Sequence, residues 1–150
     1  MGTFNKKIVA EFNPPRKWIL DRVLSYENED IDSESLENIG VKVSSSRISV
    51  PKGFVTDLAS VPRIVWNVVA PWDIARAAII HDLLYKKIRL YRAGGGDDNQ
   101  LIKKAKDASD NVFLMAMKDA NPSVSPWKIH SAYWSVRLFG KWSIIPREED

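Results

Sequence analysis

The sequence contains no cysteine, which excludes disulfide-linked scaffolds and metal sites built from thiolates. It also lacks any run of about 18 apolar residues, so we predict no transmembrane span. Residues 1–13 carry no apolar core of the kind that a secretory signal peptide needs. These absences are compatible with a reducing cytosol, and export would have to use another route.

The excess of positive over negative charge is also small. The net charge is +3, which is too small to predict nucleic-acid binding by itself, so a nucleic-acid partner is not expected. The 150 residues, 45% hydrophobic and 27% charged, are typical of one globular domain with a sizeable core. Six tryptophans are many for this length, and we expect several of them to wedge between sheet and helices.

The first third of the chain has the alternating pattern of short strands. Residues 7–12 and 18–26 each predict one strand, and residues 40–50 predict one or two more. The acidic stretch over residues 27–38 predicts an exposed turn or loop. We therefore predict a strand-rich segment over residues 6–55 that forms a small antiparallel meander.

Helical patterns follow over residues 60–142. They predict a short helix, a central helix, a long amphipathic helix and a last helix, over residues 60–69, 73–92, 99–120 and 125–139. Residues 146–150 predict a charged, frayed tail. We predict an α+β fold in one domain of residues 1–150, with a small antiparallel N-terminal sheet packed against a C-terminal bundle of three to four helices.

The central helix contains the first candidate site. Apolar residues surround this helix so completely that it should be buried, yet it carries His81 and Asp82. We predict a catalytic group in which His81 is a general base and Tyr85, one turn later, shares its face. Asp110 or Asp107, on the next helix, would orient the imidazole. The alternative is that His81 is a core histidine bonded to a carbonyl and that Asp82 is a structural ion-pair partner.

A loop just before the short helix forms a second candidate site. Thr56 and Asp57 could direct oxygens toward a metal or a substrate. Backbone amides after Ser60 and the guanidinium of Arg63 could hold an anion. We predict substrate binding by Thr56, Ser60 and Arg63, and a divalent cation, Ca²⁺ or Zn²⁺, held by Asp57 and Asp82. The alternative is that Asp57 and Ser60 only cap the helix while Arg63 holds the loop in place through an ion pair.

The last helix is rich in aromatic and basic side chains. Those singled out by the sequence are Trp127, His130, Tyr133, Trp134 and Arg137. Such a helix could stack nucleic-acid bases or meet a partner protein. Packing in the core and at its rim is the alternative, and we expect the latter.

Three motifs together resemble a family of unknown function that is encoded mostly by tailed bacteriophages and prophages. They are F-V-T-D-L-A-S-V-P-R at residues 54–63, H-D-L-L-Y at residues 81–85 and S-D-N-V-F at residues 109–113. The resemblance covers roughly residues 45–142. The sequence departs from the family pattern at Leu58, where glycine is common, and at Ser109, where alanine is common. The resemblance implies a phage setting and supplies no reaction.

The central helix is also similar to the H-D-x-x-Y helix of phospholipase A2 enzymes. In those enzymes the histidine is the base, the aspartate binds calcium, and a later helical aspartate orients the histidine. The matching positions here are His81, Asp82, Tyr85 and Asp110. The resemblance implies hydrolysis of an ester or a lipid, although the glycine-rich calcium loop of those enzymes has no counterpart in residues 54–62.

The leading interpretation is a phage or prophage hydrolase, assisted by a metal, that acts on an ester, a lipid or a cell-wall bond. The first alternative is a non-enzymatic virion or assembly protein of the tail or baseplate, with other phage structural proteins as partners. The second is a small host-takeover binding protein. We expect the protein in the host cytoplasm when it is made, with the virion as its second location.

Overall fold

The computed structural model describes residues 2–5, 8, 10–13, 17–56, 71–120, 124–148 and 150. Strands β1 to β7 span Thr3–Phe4, Ala10–Asn13, Lys17–Leu20, Leu24–Glu27, Val43–Ser44, Arg47–Val50 and Val55–Thr56. Helices α1 to α4 span Ser33–Glu37, Pro71–Ala93, Asn99–Lys118 and Pro126–Ser143. Short strands dominate the first third and long helices the rest, which confirms the predicted α+β fold. The predicted short helix over residues 60–69 lies outside the described residues.

The described strands form two antiparallel sheets. One sheet has the order β1-β4-β6-β5 and the other the order β2-β3-β7. The prediction of one strand over residues 18–26 was wrong, because the chain bends at residues 21–23 and sends β3 and β4 into different sheets. Leu20 and Leu24 are buried on either side of the bend. The two-residue alternation continues through it, so the pattern does not reveal the change of sheet.

The prediction of an exposed loop over residues 27–38 was also wrong in part. This stretch contains α1, whose N-cap Asp32 accepts hydrogen bonds from the backbone N–H and the hydroxyl of Ser35. Leu36 is fully buried, and Ile31 and Ile39 are buried beside it. The acidic residues therefore cover the outside of a helix that is anchored by a few apolar side chains.

Helices α2 and α3 pack against each other and form the centre of the helical part. Only residues 94–98 connect them, so they run antiparallel. The apolar side chains of α2 are buried almost all round, as predicted, because α3 covers one side while β4 and β6 lie on the other. Helix α3 buries one stripe, which includes Val112, Phe113 and Met117. This antiparallel pair determines which residues of α2 and α3 meet.

The end of the chain and the tryptophans differ from the predictions. The frayed tail is wrong, because Arg89 on α2 is buried and its Nε donates to Asp150 Oδ2 at 3.0 Å. Tryptophans at positions 127, 134 and 142 do not wedge between sheet and helices but are more than half exposed on α4. Helix α4 already buries its opposite face, so these rings lie on the outside.

Candidate functional site

Asp110 is the centre of a buried polar cluster between α2 and α3. Its side chain has no solvent exposure, and its Oδ1 accepts hydrogen bonds from His81 Nε2 at 2.9 Å and from the Tyr85 hydroxyl at 2.5 Å. Both donors come from α2, one turn apart, and the antiparallel packing places Asp110 opposite them. The predicted contact between His81 and Asp110 is present. Asp107, the other carboxylate considered for that role, pairs with Arg137 instead.

The second oxygen of Asp110 is held by two cations. Oδ2 accepts from Lys106 Nζ at 2.8 Å, one turn back on α3, and from Arg137 NH1 at 2.9 Å, which reaches across from α4. Arg137 NH1 also lies 2.8 Å from Asp107 Oδ1. The cluster thus has two carboxylates and two cations, so their formal charges cancel when His81 is neutral.

These contacts decide the charge of Asp110. Burial acts to raise the pKa of Asp110, but hydrogen bonds from His81, Lys106 and Tyr85 outweigh it and hold the pKa below its usual range. The carboxyl is therefore ionised near neutral pH and can only accept hydrogen bonds. For that reason His81 Nε2 must carry the hydrogen, and a neutral His81 ring has its lone pair on Nδ1.

The same carboxylate shifts the pKa values of Tyr85 and Arg137. Burial, and next the negative charge of Asp110, raise the pKa of Tyr85 far above its usual range, so its hydroxyl stays protonated and donates. Burial lowers the pKa of Arg137, but hydrogen bonds to Asp107 and Asp110 outweigh this and leave it raised. Both groups therefore keep their protons near neutral pH.

Aromatic rings hold the imidazole of His81 in place. Its ring centroid lies 4.0 Å from that of Tyr85 and 4.8 Å from that of Phe113, with interplanar angles of 45° and 37°. The side chain of His81 has no solvent exposure. A ring that is fixed by a carboxylate and two aromatic neighbours has one orientation, which is what a positioned base requires.

Asp82 points away from this cluster, as expected for the next residue of a helix. It is buried, and its Oδ2 accepts a hydrogen bond from Thr56 Oγ1 at 2.5 Å. Thr56 ends β7, so this bond ties the three-stranded sheet to α2 directly beside His81. Thr56, predicted to bind substrate, thus lies next to the predicted metal ligand Asp82.

The rest of the second predicted site cannot be placed. Asp57, Ser60 and Arg63 lie outside the described residues. Within the described ranges, no group of three or more His, Asp or Glu side chains is arranged to hold a metal ion. The Ca²⁺ or Zn²⁺ site at Asp82 and Asp57 therefore stays a prediction.

Three residues of the cluster were not predicted as site residues. Lys106 looks like an ordinary surface charge in the sequence, although it stands four residues before Asp110, the spacing of a helical ion pair. Arg137 was considered only for contact with nucleic acid or a partner protein. Gly140 lies where α4 crosses Tyr85, and a β-carbon there would overlap the Tyr85 hydroxyl oxygen. A lone glycine among large side chains in a helix is the feature that could have revealed this close approach.

A separate polar cleft of about 380 Å³ lies between α1 and α3. Its lining includes Asp32, Glu34, Lys104, Asp107 and Asn111 and none of the buried side chains that approach Asp110 from α2. The cleft shares only the outer carboxylate of the cluster with the candidate site.

Comparisons with known proteins give one result. No curated protein sequence and no solved structure matches the chain. A family model matches residues 35–136, a range that includes Thr56, His81, Asp82, Tyr85 and Asp110 and ends one residue before Arg137. The chain therefore belongs to the family described as "Protein of unknown function (DUF1353)".

Proposed function

We propose that this protein is a hydrolase that cleaves a carboxylic ester, with His81 as its general base. Nδ1 of His81 would take a proton from a water molecule while the water oxygen attacks the ester carbonyl. The tetrahedral intermediate would then expel the alcohol oxygen, which takes the same proton back from His81. One ester and one water thus give one acid and one alcohol.

The observation that supports this proposal is the hydrogen bond from His81 Nε2 to an ionised Asp110. It leaves the lone pair of the neutral ring on Nδ1, and the negative charge of Asp110 stabilises the imidazolium that forms when the base takes a proton. The partner of His81 Nε2 is a carboxylate, which is the neighbour that the hydrolase interpretation expects. A buried carboxylate and an imidazole are expensive to keep in a core that could be apolar.

The resemblance to phospholipase A2 enzymes adds support from geometry. That resemblance predicted a later helical aspartate beside the histidine, and Asp110 occupies this place. Ca²⁺ or Zn²⁺ at Asp82 and Asp57 would polarise the ester carbonyl as a Lewis acid. Asp82 supplies one buried carboxylate for such an ion, and no proton transfer proposed here depends on it.

The burial of His81 sets a condition on this function. Because the ring has no exposed surface, it must be uncovered before an ester and a water molecule can reach Nδ1. We therefore expect opening of the site to limit turnover.

The test is an esterase assay on the purified chain, with nitrophenyl esters and with phospholipid, in the presence and absence of Ca²⁺ and Zn²⁺. His81→Asn and Asp110→Asn should each lower the rate by about 10²-fold or more. His130→Asn is the matched control, because His130 is the other histidine of the chain and is exposed on α4. Folded wild-type protein without activity under every metal condition would refute the proposal, as would equal loss in the control.

A second candidate function is that of a non-enzymatic virion or assembly protein. The observation that favours it is the set of exposed apolar side chains along α4. A phage or prophage origin, suggested by the resemblance of the motifs, would fit a place in the tail or baseplate. Mass spectrometry of purified particles tests this candidate, which is supported if the chain is a stoichiometric component and refuted if the particles lack it.

A further inference from the structure

The outer surface of α4 carries an unusual concentration of exposed apolar side chains. Among the described residues, six of the nine exposed large hydrophobics lie on or just after this helix. We call four of them the aromatic face: Trp127, Trp134, Leu138 and Trp142. Each is between 57% and 61% exposed. At 100° per residue, positions 127, 134 and 138 fall within a narrow stripe along the helix, and position 142 lies beside it.

The charged residues of the helix that carries the aromatic face are all of one sign. Helix α4 contains Lys128, Arg137 and Lys141 and no acidic residue. Lys128 Nζ lies 5.8 Å from the Trp127 ring centroid, and Lys141 Nζ lies 4.6 Å from that of Trp142. Arg137 is engaged by Asp107 and Asp110, so the two lysines are the cations available to a partner.

The buried side of α4 determines the orientation of the aromatic face. Ile129, Ala132, Val136 and Gly140 are buried, so the helix is attached to the domain along its whole length. No helix among the described residues is long and apolar enough to cross a membrane. The aromatic face therefore points away from the domain along the length of α4.

We propose that the aromatic face docks the protein onto an anionic lipid surface. Indole rings favour the boundary between headgroups and acyl chains, because each has an apolar body and one polar N–H. Lysines at the edge of such a face pair with lipid phosphates, and this arrangement is that of helices that lie in the plane of the interface. The apolar centre and the basic edges of α4 thus match both parts of that boundary.

A second copy of the chain fits this face less well. Two aromatic faces packed against each other would bring Lys128 and Lys141 of both copies close together, with no acid on either helix to compensate. Like charges opposed in this way disfavour the contact, whereas phosphate headgroups neutralise them.

Vesicle co-sedimentation of the full chain tests the proposal. Wild type should bind vesicles made of equal parts of phosphatidylcholine and phosphatidylglycerol, and bind pure phosphatidylcholine at least about tenfold more weakly. The double variant Trp134→Ser/Leu138→Ser should lose at least about tenfold in affinity. Lys128→Gln and Lys141→Gln should each lose about fivefold, with the effect removed by high salt.

Matched controls lie on other helices. Leu90→Ser removes an exposed leucine from α2, and Lys103→Gln removes an exposed lysine from α3, so both should bind as wild type. Because none of the altered side chains is buried, the midpoints of thermal unfolding should stay within a few degrees of wild type.

Several results would overturn the proposal. They are equal binding to both vesicle types, absence of binding to either, or equal losses in the Leu90 and Lys103 controls. Concentration-dependent dimerisation in light scattering that Trp134→Ser/Leu138→Ser abolishes would assign the face to a second copy instead. Docking does not depend on ester hydrolysis, so the His81→Asn variant should bind vesicles like wild type even when it hydrolyses nothing.

Discussion

Replacing Asp110 with Asn tests whether the buried cluster is an ion network. The change keeps the size of the side chain but removes its charge and one of its two acceptor oxygens. The remaining amide oxygen should turn toward Lys106 and Arg137, which need it most because they are charged. The amide nitrogen then faces His81 and Tyr85, which can adjust by a change of tautomer and by rotation of a hydroxyl. The main loss is therefore the compensation of two cations.

The expected size of this loss follows from burial. Removing one partner of a buried ion pair costs about 3–5 kcal/mol. The lower end applies here, because Lys106 and Arg137 keep 12% and 28% side-chain exposure and Arg137 retains Asp107. We expect the free energy of unfolding to fall by about 3 kcal/mol, which for a domain of this size lowers the Tm by about 6–12 °C.

The assay is denaturant unfolding followed by tryptophan fluorescence, with m compared between variants. Asp107→Asn is the matched control: it makes the same chemical change one turn away on α3, at a side chain that is 36% exposed. We expect that control to lose less than about 1 kcal/mol, since exposed ion pairs contribute little. If Asp110→Asn loses no more than Asp107→Asn at unchanged m, Asp110 is not an ionised centre and the argument for His81 as a base fails with it.

Three further predictions follow from single contacts. Gly140→Ala should destabilise the fold by about 1–3 kcal/mol through overlap with the Tyr85 hydroxyl, and Tyr85→Phe should rescue part of that loss in a double-mutant cycle; additive losses would refute the overlap. Because the folded-state pKa of Asp110 lies below the unfolded value, its stabilisation is present above about pH 4 and is lost as the pH falls through the folded value. The difference in unfolding free energy between wild type and Asp110→Asn should therefore shrink below about pH 4, and a constant difference would refute the assignment. Asp150→Ala should lower the Tm by leaving the buried guanidinium of Arg89 without this carboxylate, whereas an unchanged Tm would show that the end of the chain is frayed after all.

The long helices could be predicted because their patterns leave little choice. The apolar residues of helix α2 cover most of its circumference, α3 has one apolar stripe, and both patterns persist over several turns. The strands are shorter than the length over which a two-residue period is decisive. The bend at residues 21–23 continues the alternation of its neighbours, and α1 is too short to show a helical period.

The candidate site also has some residues that could be predicted from the sequence and others that could not. The pairing of His81 with Asp110 could be predicted from the sequence. A buried imidazole needs a carboxylate as its partner, and the two adjacent helices contain few carboxylates close to their buried faces. Arg137 could not be predicted, since it stands 27 residues after Asp110 on another helix and its spacing resembles that of any surface arginine. The exposure of the tryptophans on α4 could not be predicted either. Helix α4 has apolar residues on both faces, and its packing on the rest of the domain decides which face is covered.

Helix α4 connects the two proposals while keeping their residues apart. Its inner face brings Arg137 to Asp110 and lets Gly140 pass the Tyr85 hydroxyl, so the position of α4 maintains the carboxylate on which the imidazole depends. Its outer face carries Trp134 and Leu138, which touch none of these groups through any hydrogen bond or ion pair. A surface that presses on the outer face therefore acts on the cluster through the rigid helix alone. For this reason substitutions on the outer face separate docking from chemistry, whereas substitutions of Arg137 or Gly140 disturb both.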